Sequence, residues 1–182
     1  MIILASKSPR RRELMKYITE DFEIQSADAD ETLPDGITPQ EAVLQLSRIK
    51  AAPLVSDGNV VIGADTVVAI DGAILGKPAD ADDAARMLRL LSGREHSVFT
   101  GVTIATPDKT DSFYAETKVR FYPLTEDDIA RYIATGEPFD KAGAYGIQGY
   151  GSLLVEGIDG DYFNVVGLPV SLLVRRLSKF SV

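Results

Sequence analysis

The 182-residue chain has no cysteine and a single histidine. The first absence excludes disulfides, thiolate metal centres and a cysteine nucleophile. With one histidine besides, a His/Cys metal site or a Ser-His-Asp triad lacks the residues it needs. Any catalysis must rest on carboxylates, cations and a hard metal. Cations are in short supply: 19 Lys and Arg stand against 27 Asp and Glu, for a net charge of −8. Nucleic acid and anionic membrane both demand a broad basic face, so neither is expected as a partner. A local basic pocket on an acidic protein can still focus its field on a small polyanion. No apolar run approaches the roughly 20 residues of a membrane helix. Met1 opens directly into MIILAS with no basic segment before it, so no secretory signal is expected and a cytoplasmic location is.

Two phosphate-binding signatures are missing on inspection. Gly72–Lys77 reads GAILGK, one residue short of a P-loop, with Pro78 where Ser or Thr should bind Mg²⁺. Gly146–Gly151 reads GIQGYG, which has the wrong spacing for a dinucleotide fingerprint.

What is present is the composition of a globular protein, 45% hydrophobic and 25% charged. The length fits one domain over residues 1–182, either compact or elongated with two lobes. Val60–Ile70, VVIGADTVVAI, is the stretch around which the rest is organised. Without Asp65 it is a β-branched and small apolar run, which predicts a strand buried on both faces. Burying a carboxylate costs on the order of several kcal/mol unless cations, donors or a metal compensate. Asp71-Gly72 predicts a hairpin turn, with Ala73–Leu75 returning toward Lys77. A two-residue turn sets Lys77 opposite Thr66 and a three-residue loop sets it opposite Asp65. A structural ion pair is the plain reading of either.

Around this hairpin, Ile2–Ala5 and Phe22–Ser26 read as strands. Ser8 as N-cap and Pro9 at the first position open a helix running to about Ile18. Arg10, Arg11 and Arg12 fill its first turn, against the helix dipole, a conflict that a bound phosphate would resolve. Asp28–Glu31 is an acidic loop whose carboxylates are candidates for a hard cation. Thr38–Glu41 is a capping box opening a helix with an apolar stripe at Val43, Leu44, Leu46 and Ile49. Lys50 near its end reads as a solvated lysine. Asp80–Leu91 is an amphipathic helix, His96–Ala105 and Ser112–Phe121 are paired strands, and Thr125 caps a helix ending at Gly136. His96, the lone histidine, reads as structural. Glycines and aromatics in Lys141–Gly151 predict close backbone approach to a flat ligand such as a nucleobase. Leu153–Ile158 is a strand, and Leu168-Pro169 opens a closing helix to about Phe180. Together these elements predict an α/β fold, a mixed sheet flanked by helices.

Six ordered motifs carry a further reading: Ala5–Arg11 (ASKSPRR), Asp30–Thr32 (DET), Gly63–Thr66 (GADT), Gly76–Pro78 (GKP), Ala144–Gly149 (AYGIQG) and Val166–Pro169 (VGLP). In this order they resemble the motifs of the Maf family, from residue 2 to about residue 180. The resemblance implies an elongated α/β fold shared with the inosine triphosphate pyrophosphatases. It implies hydrolysis of a nucleoside triphosphate to the monophosphate and pyrophosphate, a divalent cation (Mg²⁺ or Mn²⁺) and a homodimer. Carried over by position, Asp65 matches the catalytic carboxylate, linked to the metal and acting as proton acceptor. Ser6, Arg11, Glu31, Lys50, Lys77 and Gln148 match the other active-site positions, with Glu31 and Asp65 at the metal. Arg10, Thr66 and Gln148 fall where subfamilies differ and resemble the branch acting on dTTP and UTP, with modified pyrimidine nucleotides as further candidates. The family has also been linked to arrest of cell division and septum formation. A nucleotide-binding regulator without turnover is therefore the alternative expectation.

Overall fold

The run Val60–Ile70 forms an 11-residue strand inside the sheet. In the computed structural model, which describes residues 1–180, the strands are β1 (Ile2–Ala5), β2 (Phe22–Gln25), β3 (Val60–Ile70), β4 (Ala73–Leu75), β5 (Glu95–Ala105), β6 (Thr110–Phe121) and β7 (Val155–Asp159). They make one 7-stranded sheet in the order β2-β1-β3-β5-β6-β7, with β4 paired to β3. β1 runs parallel to β2 and β3, whereas the other pairings are antiparallel. The helices are α1 (Pro9–Met15), α2 (Pro39–Ala51), α3 (Ala81–Leu91), α4 (Glu126–Ala134), α5 (Tyr162–Val166) and α6 (Val170–Leu177). The mixed sheet flanked by helices is the architecture predicted above. None of the described helices is long and apolar enough to cross a membrane.

Local chemistry explains most boundaries. Ser8, Thr38, Asp80 and Thr125 each cap a helix with a side-chain oxygen, and Thr38 and Thr125 sit in full capping boxes. Asp71 (φ 52°) and Gly72 (φ 78°) make a two-residue turn with both residues left-handed. Some ends differ from expectation. α1 stops at Met15 because Tyr17 and Ile18 donate to carbonyls only three residues back, which tightens the last turn. β7 begins at Val155 because Gly149–Leu154 winds as 3₁₀ turns. The closing helix ends at Leu177, short of Phe180. α5 has no counterpart in the sequence reading, although Asp161 caps it, accepting from the Phe163 and Asn164 amides at 2.8 and 3.3 Å.

The feature that matters for function is an interruption beside β3. β5 covers one edge of β3 from Val61 to Ala69. On the other edge β1 covers Val60–Gly63 and β4 covers Val68–Ile70, which leaves Ala64–Val67 without a strand neighbour. The core divides at the same place. On one face Val60, Ile62 and Ala64 pack with Leu4, Met15, Leu168 and Leu173, while Val68 and Ile70 pack with Leu88, Leu91 and Phe121. On the opposite face Val61 belongs to one cluster, and Val67 and Ala69 to another. Side chains alternate along a strand, so Asp65 and Thr66 stand at the seam on opposite faces.

Candidate active site

A cleft of about 1020 Å³ opens at this seam. Asp65 and Thr66 form its floor. Ser6 comes from the loop after β1, Arg10 and Arg11 from the start of α1, Glu31 from the segment before α2, and Lys50 from α2. Lys77 follows β4, and Gln148 lies in the loop before β7. The cleft thus gathers all nine site residues that the sequence singles out.

On one face of β3, Asp65 is paired with the ammonium of Lys50. The Glu31 carboxylate reaches the same ammonium at 3.7 Å. Lys50 is therefore no solvated surface lysine; its side chain is only 22% exposed. Its position follows from two glycines. A Cβ on Gly63 would collide with the Ser47 carbonyl oxygen, and one on Gly101 with that of Val43. Bare backbone lets α2 lie directly on β3 and β5, and Lys50 then falls over Asp65 one helical turn beyond Ser47. The buried Ser47 hydroxyl, 2.8 Å from Thr103 Oγ1, fixes the helix there.

Two expectations change here. Asp65 is not enclosed on both faces: its side chain is 15% exposed, because the missing strand neighbour opens it to the cleft. Its cationic partner is Lys50 rather than Lys77. The two-residue turn pairs Val68 with Leu75, where the ladder ends before Lys77, and the exposed Lys77 side chain makes no ion pair among the described residues.

On the opposite face stands Arg11, 9% exposed. Nε donates to the Gly167 carbonyl at 2.8 Å, Nη2 to Thr66 Oγ1 at 3.0 Å and Nη1 to Ser6 Oγ at 3.4 Å. Thr66 Oγ1 lies 2.8 Å from Thr100 Oγ1, which donates to the Asn164 carbonyl at 2.9 Å. Arg11 makes no salt bridge among the described residues. Burial pulls its guanidinium below the ordinary arginine pKa, and the nearby negative charge of Asp65 works in the opposite direction. The three arginines expected to act together at the start of α1 diverge. Arg10 makes a 3.4 Å ion pair with Asp140 across the cleft mouth, and Arg12 is exposed. The Ser8 hydroxyl already accepts from the Arg11 amide, so the anion-seeking group is the guanidinium itself.

The far wall is Lys141–Gly149. Of the two aromatics in Lys141–Gly151, Tyr145 is 5% exposed and packs edge-on against Phe121 and His96, and Tyr150 is exposed outside the cleft lining. Two of its glycines have a packing reason as well, since added methyl groups would meet Val68 at Gly143 and the Lys141 side chain at Gly146. His96 Nε2 lies 2.6 Å from Tyr145 Oη, and burial lowers the His96 pKa to about 4, so the ring is neutral. Tyr132 accepts from the Gly146 amide at 3.1 Å, and burial pushes its hydroxyl pKa up to about 12.

Asp65 and Glu31 are two cleft carboxylates that meet at one point. No group of three or more His, Cys, Asp or Glu side chains gathers among the described residues. Two carboxylates converging on one ammonium nevertheless mark a position where positive charge is stabilised. Two carboxylates are what Mg²⁺ asks of a protein when water and substrate oxygens complete its shell.

The family model for Maf-like proteins matches residues 1–180. The chain belongs to the Maf family. A dTTP/UTP pyrophosphatase of Bacillus velezensis is 51% identical to this Maf chain over 183 aligned positions, covering 100% of it and 97% of the relative. Those of Bacillus pumilus and Bacillus cereus ATCC 14579 are 50% and 48% identical, each over 100% of the chain and 97% and 96% of the relative. Among solved structures, the Staphylococcus aureus Ham1 protein aligns with a TM-score of 0.49 at 16% identity, over 66% of this chain and 71% of that one. Sequence reasoning missed the Gly167 carbonyl, which holds Arg11, and Thr100 and Asn164, which continue the chain of hydrogen bonds behind Thr66. The VGLP motif, which contains Gly167, was the one available signal.

Proposed function

We propose that the chain is a nucleoside triphosphate pyrophosphatase that cleaves dTTP and UTP between the α and β phosphates. The observation that carries this reading is the pairing, across one gap in the sheet, of a buried unpaired guanidinium with two carboxylates. Arg11 directs three of an arginine's five N–H groups to the protein, which leaves two for a phosphate. Lys77 and Lys50 supply the further cations for a chain of phosphates. Asp65 and Glu31 would hold a divalent cation, which when bound neutralises phosphate charge and polarises water.

Phosphoryl transfer depends mainly on positioning and electrostatic stabilisation. A water oxygen bonds to the α-phosphorus while the bond to the αβ-bridging oxygen breaks. The electron pair leaves with pyrophosphate, and the water proton passes to the Asp65 carboxylate. Arg11 and Lys77 hold the charge that accumulates on the phosphate oxygens. The full-length relatives at about half identity support dTTP and UTP as the substrates, and Arg10, Thr66 and Gln148 all stand in the cleft. The proposal includes a homodimer, for light scattering to test.

The experiment is a panel of natural and modified nucleoside triphosphates with Mg²⁺ or Mn²⁺, assayed separately for pyrophosphate and orthophosphate. Pyrophosphate from dTTP and UTP is expected. Nucleotide binding without turnover under either metal would establish the regulator instead, and orthophosphate as first product would overturn the bond assignment.

A further inference from the structure

We propose that His96 and Tyr132 are positioning residues for the nucleoside end of the substrate, holding Ala144–Gln148 from behind in the shape that selects the base. This deepens the reading above and rests on the cleft accepting a nucleoside triphosphate.

Neither side chain lines the cleft; both are 3% exposed, one layer beneath its wall. Each ends on that wall through one hydrogen bond. His96 Nε2 meets Tyr145 Oη at 2.6 Å, and Tyr132 Oη accepts from the Gly146 amide at 3.1 Å. The Gly143 amide donates to the Gly76 carbonyl at 3.0 Å, tying the same segment to the residue before Lys77. Between these bonds Ala144 is held at φ 61°, a left-handed conformation that alanine keeps only where its surroundings impose it. Three contacts and one strained residue therefore set the path of five residues.

Volume does not account for the polar atoms. Phenylalanine at 132 and 145 and leucine at 96 would fill similar space without burying hydroxyls and an imidazole, groups that are unfavourable in an apolar core unless bonded. The His96 ring has no hydrogen bond besides the one to Tyr145, because Nδ1 has no partner among the described residues. What these bonds add is direction. The wall they direct offers backbone groups and the Gln148 amide beside apolar Val68, Leu75 and Val165. Neutral donors and acceptors read a base edge, and strong discrimination through hydrogen bonds requires those groups to be fixed before the base arrives. The phosphates, by contrast, are drawn to the charged groups Arg11, Lys50 and Lys77.

The test uses the full chain with dTTP and UTP as substrates and inorganic tripolyphosphate, which has no base, as a competitive inhibitor. Tyr132→Phe removes one hydroxyl; His96→Leu removes the other anchor, and His96→Gln restores an amide near the Nε2 position. KM for dTTP is expected to rise roughly five- to tenfold in Tyr132→Phe and His96→Leu, in keeping with one lost buried hydrogen bond. kcat should stay within about twofold and His96→Gln should recover most of the loss. The Ki of tripolyphosphate should not change. An unaltered KM overturns the inference, and so does a tripolyphosphate Ki that rises in the same ratio, since that reports general damage to the cleft. If His96→Leu does not fold, Tyr132→Phe decides alone. Failure of the wild-type chain to turn over any nucleotide would count against the proposed function, and dTTP affinity then decides this inference. Weaker dTTP binding in Tyr132→Phe with unchanged tripolyphosphate binding supports it, and equal binding overturns it.

Discussion

The two walls of the cleft are built by opposite means. The wall from β1, α1 and α2 presents side chains that carry charge: Arg11, Glu31, Lys50 and, from the floor, Asp65. The wall from the end of β4 and Lys141–Gly149 is a glycine-rich loop with Gln148, and Lys77 and Lys141 stand at its edges. Even within the charged wall the two faces of β3 differ. Lys50 is shared by two carboxylates, whereas Arg11 is held by hydroxyls and a backbone carbonyl and keeps its charge unpaired. A buried cation without a counter-ion is destabilising by itself. The charged wall therefore accepts a local penalty that an anion relieves, whereas the glycine-rich wall is held in shape by hydrogen bonds from the residues beneath it.

The sharpest way to break this contrast is at Asp65. Asp65→Asn keeps the shape but not the acceptor, and turnover should fall about 10³-fold, within the range for loss of a general base. Pyrophosphate release with circular dichroism as a folding control checks it, and near-normal turnover would remove Asp65 from the mechanism.

The glycine-rich wall supplies the next largest effect, on stability. His96 has a folded pKa of about 4, depressed by burial alone from the ordinary 6.5. Between these values the unfolded chain binds the proton and the folded chain does not, so this group's contribution rises with pH across the window. It is lost as pH falls from 6.5 to 4, by about 3 kcal/mol at 1.36 kcal/mol per unit. Denaturant titrations of the wild type and His96→Gln at both pH values should show that difference largely absent from the variant.

Arg11→Lys tests the unpaired charge with the sign preserved. A lysine cannot serve Gly167, Ser6 and Thr66 while still facing a phosphate, so kcat/KM should fall roughly a hundredfold, about 2.7 kcal/mol. Full activity in Arg11→Lys would mean that only charge matters there. Thr66→Val keeps shape and deletes the hydroxyl between Arg11 and Thr100; a rise in KM worth about 1 kcal/mol is expected from steady-state kinetics. The smallest change belongs to Asp140→Ala, which breaks the exposed carboxylate's pairs with Arg10 and Lys141 and should alter thermal stability by less than about 1 kcal/mol.

Sequence reading succeeded where one residue decides the outcome locally. Asp71-Gly72 specifies its turn, and Ser8, Thr38 and Thr125 specify helix starts, because each acts on its own backbone. Eight of the nine candidate residues lie within the quoted motifs, which meet at the cleft; Lys50 lies outside them and arrives on α2. Pairing between segments was not legible. Lys50 reaches Asp65 only because α2 rests on Gly63 and Gly101, a fact of helix height that no window of sequence contains. Arg11 is held by a carbonyl 156 residues away, and a carbonyl leaves no mark of its own in a sequence. Tyr145 misled for a related reason: an aromatic near glycines reads alike whether it faces a ligand or, as here, a buried histidine.

In the proposed mechanism water attacks the α-phosphorus beside Asp65. Hydrolysis of dTTP in ¹⁸O-labelled water, followed by mass spectrometry of both products, tests it most directly. The account predicts one ¹⁸O in the monophosphate and none in the pyrophosphate. Label in the pyrophosphate would place the attack on the β-phosphorus and contradict it.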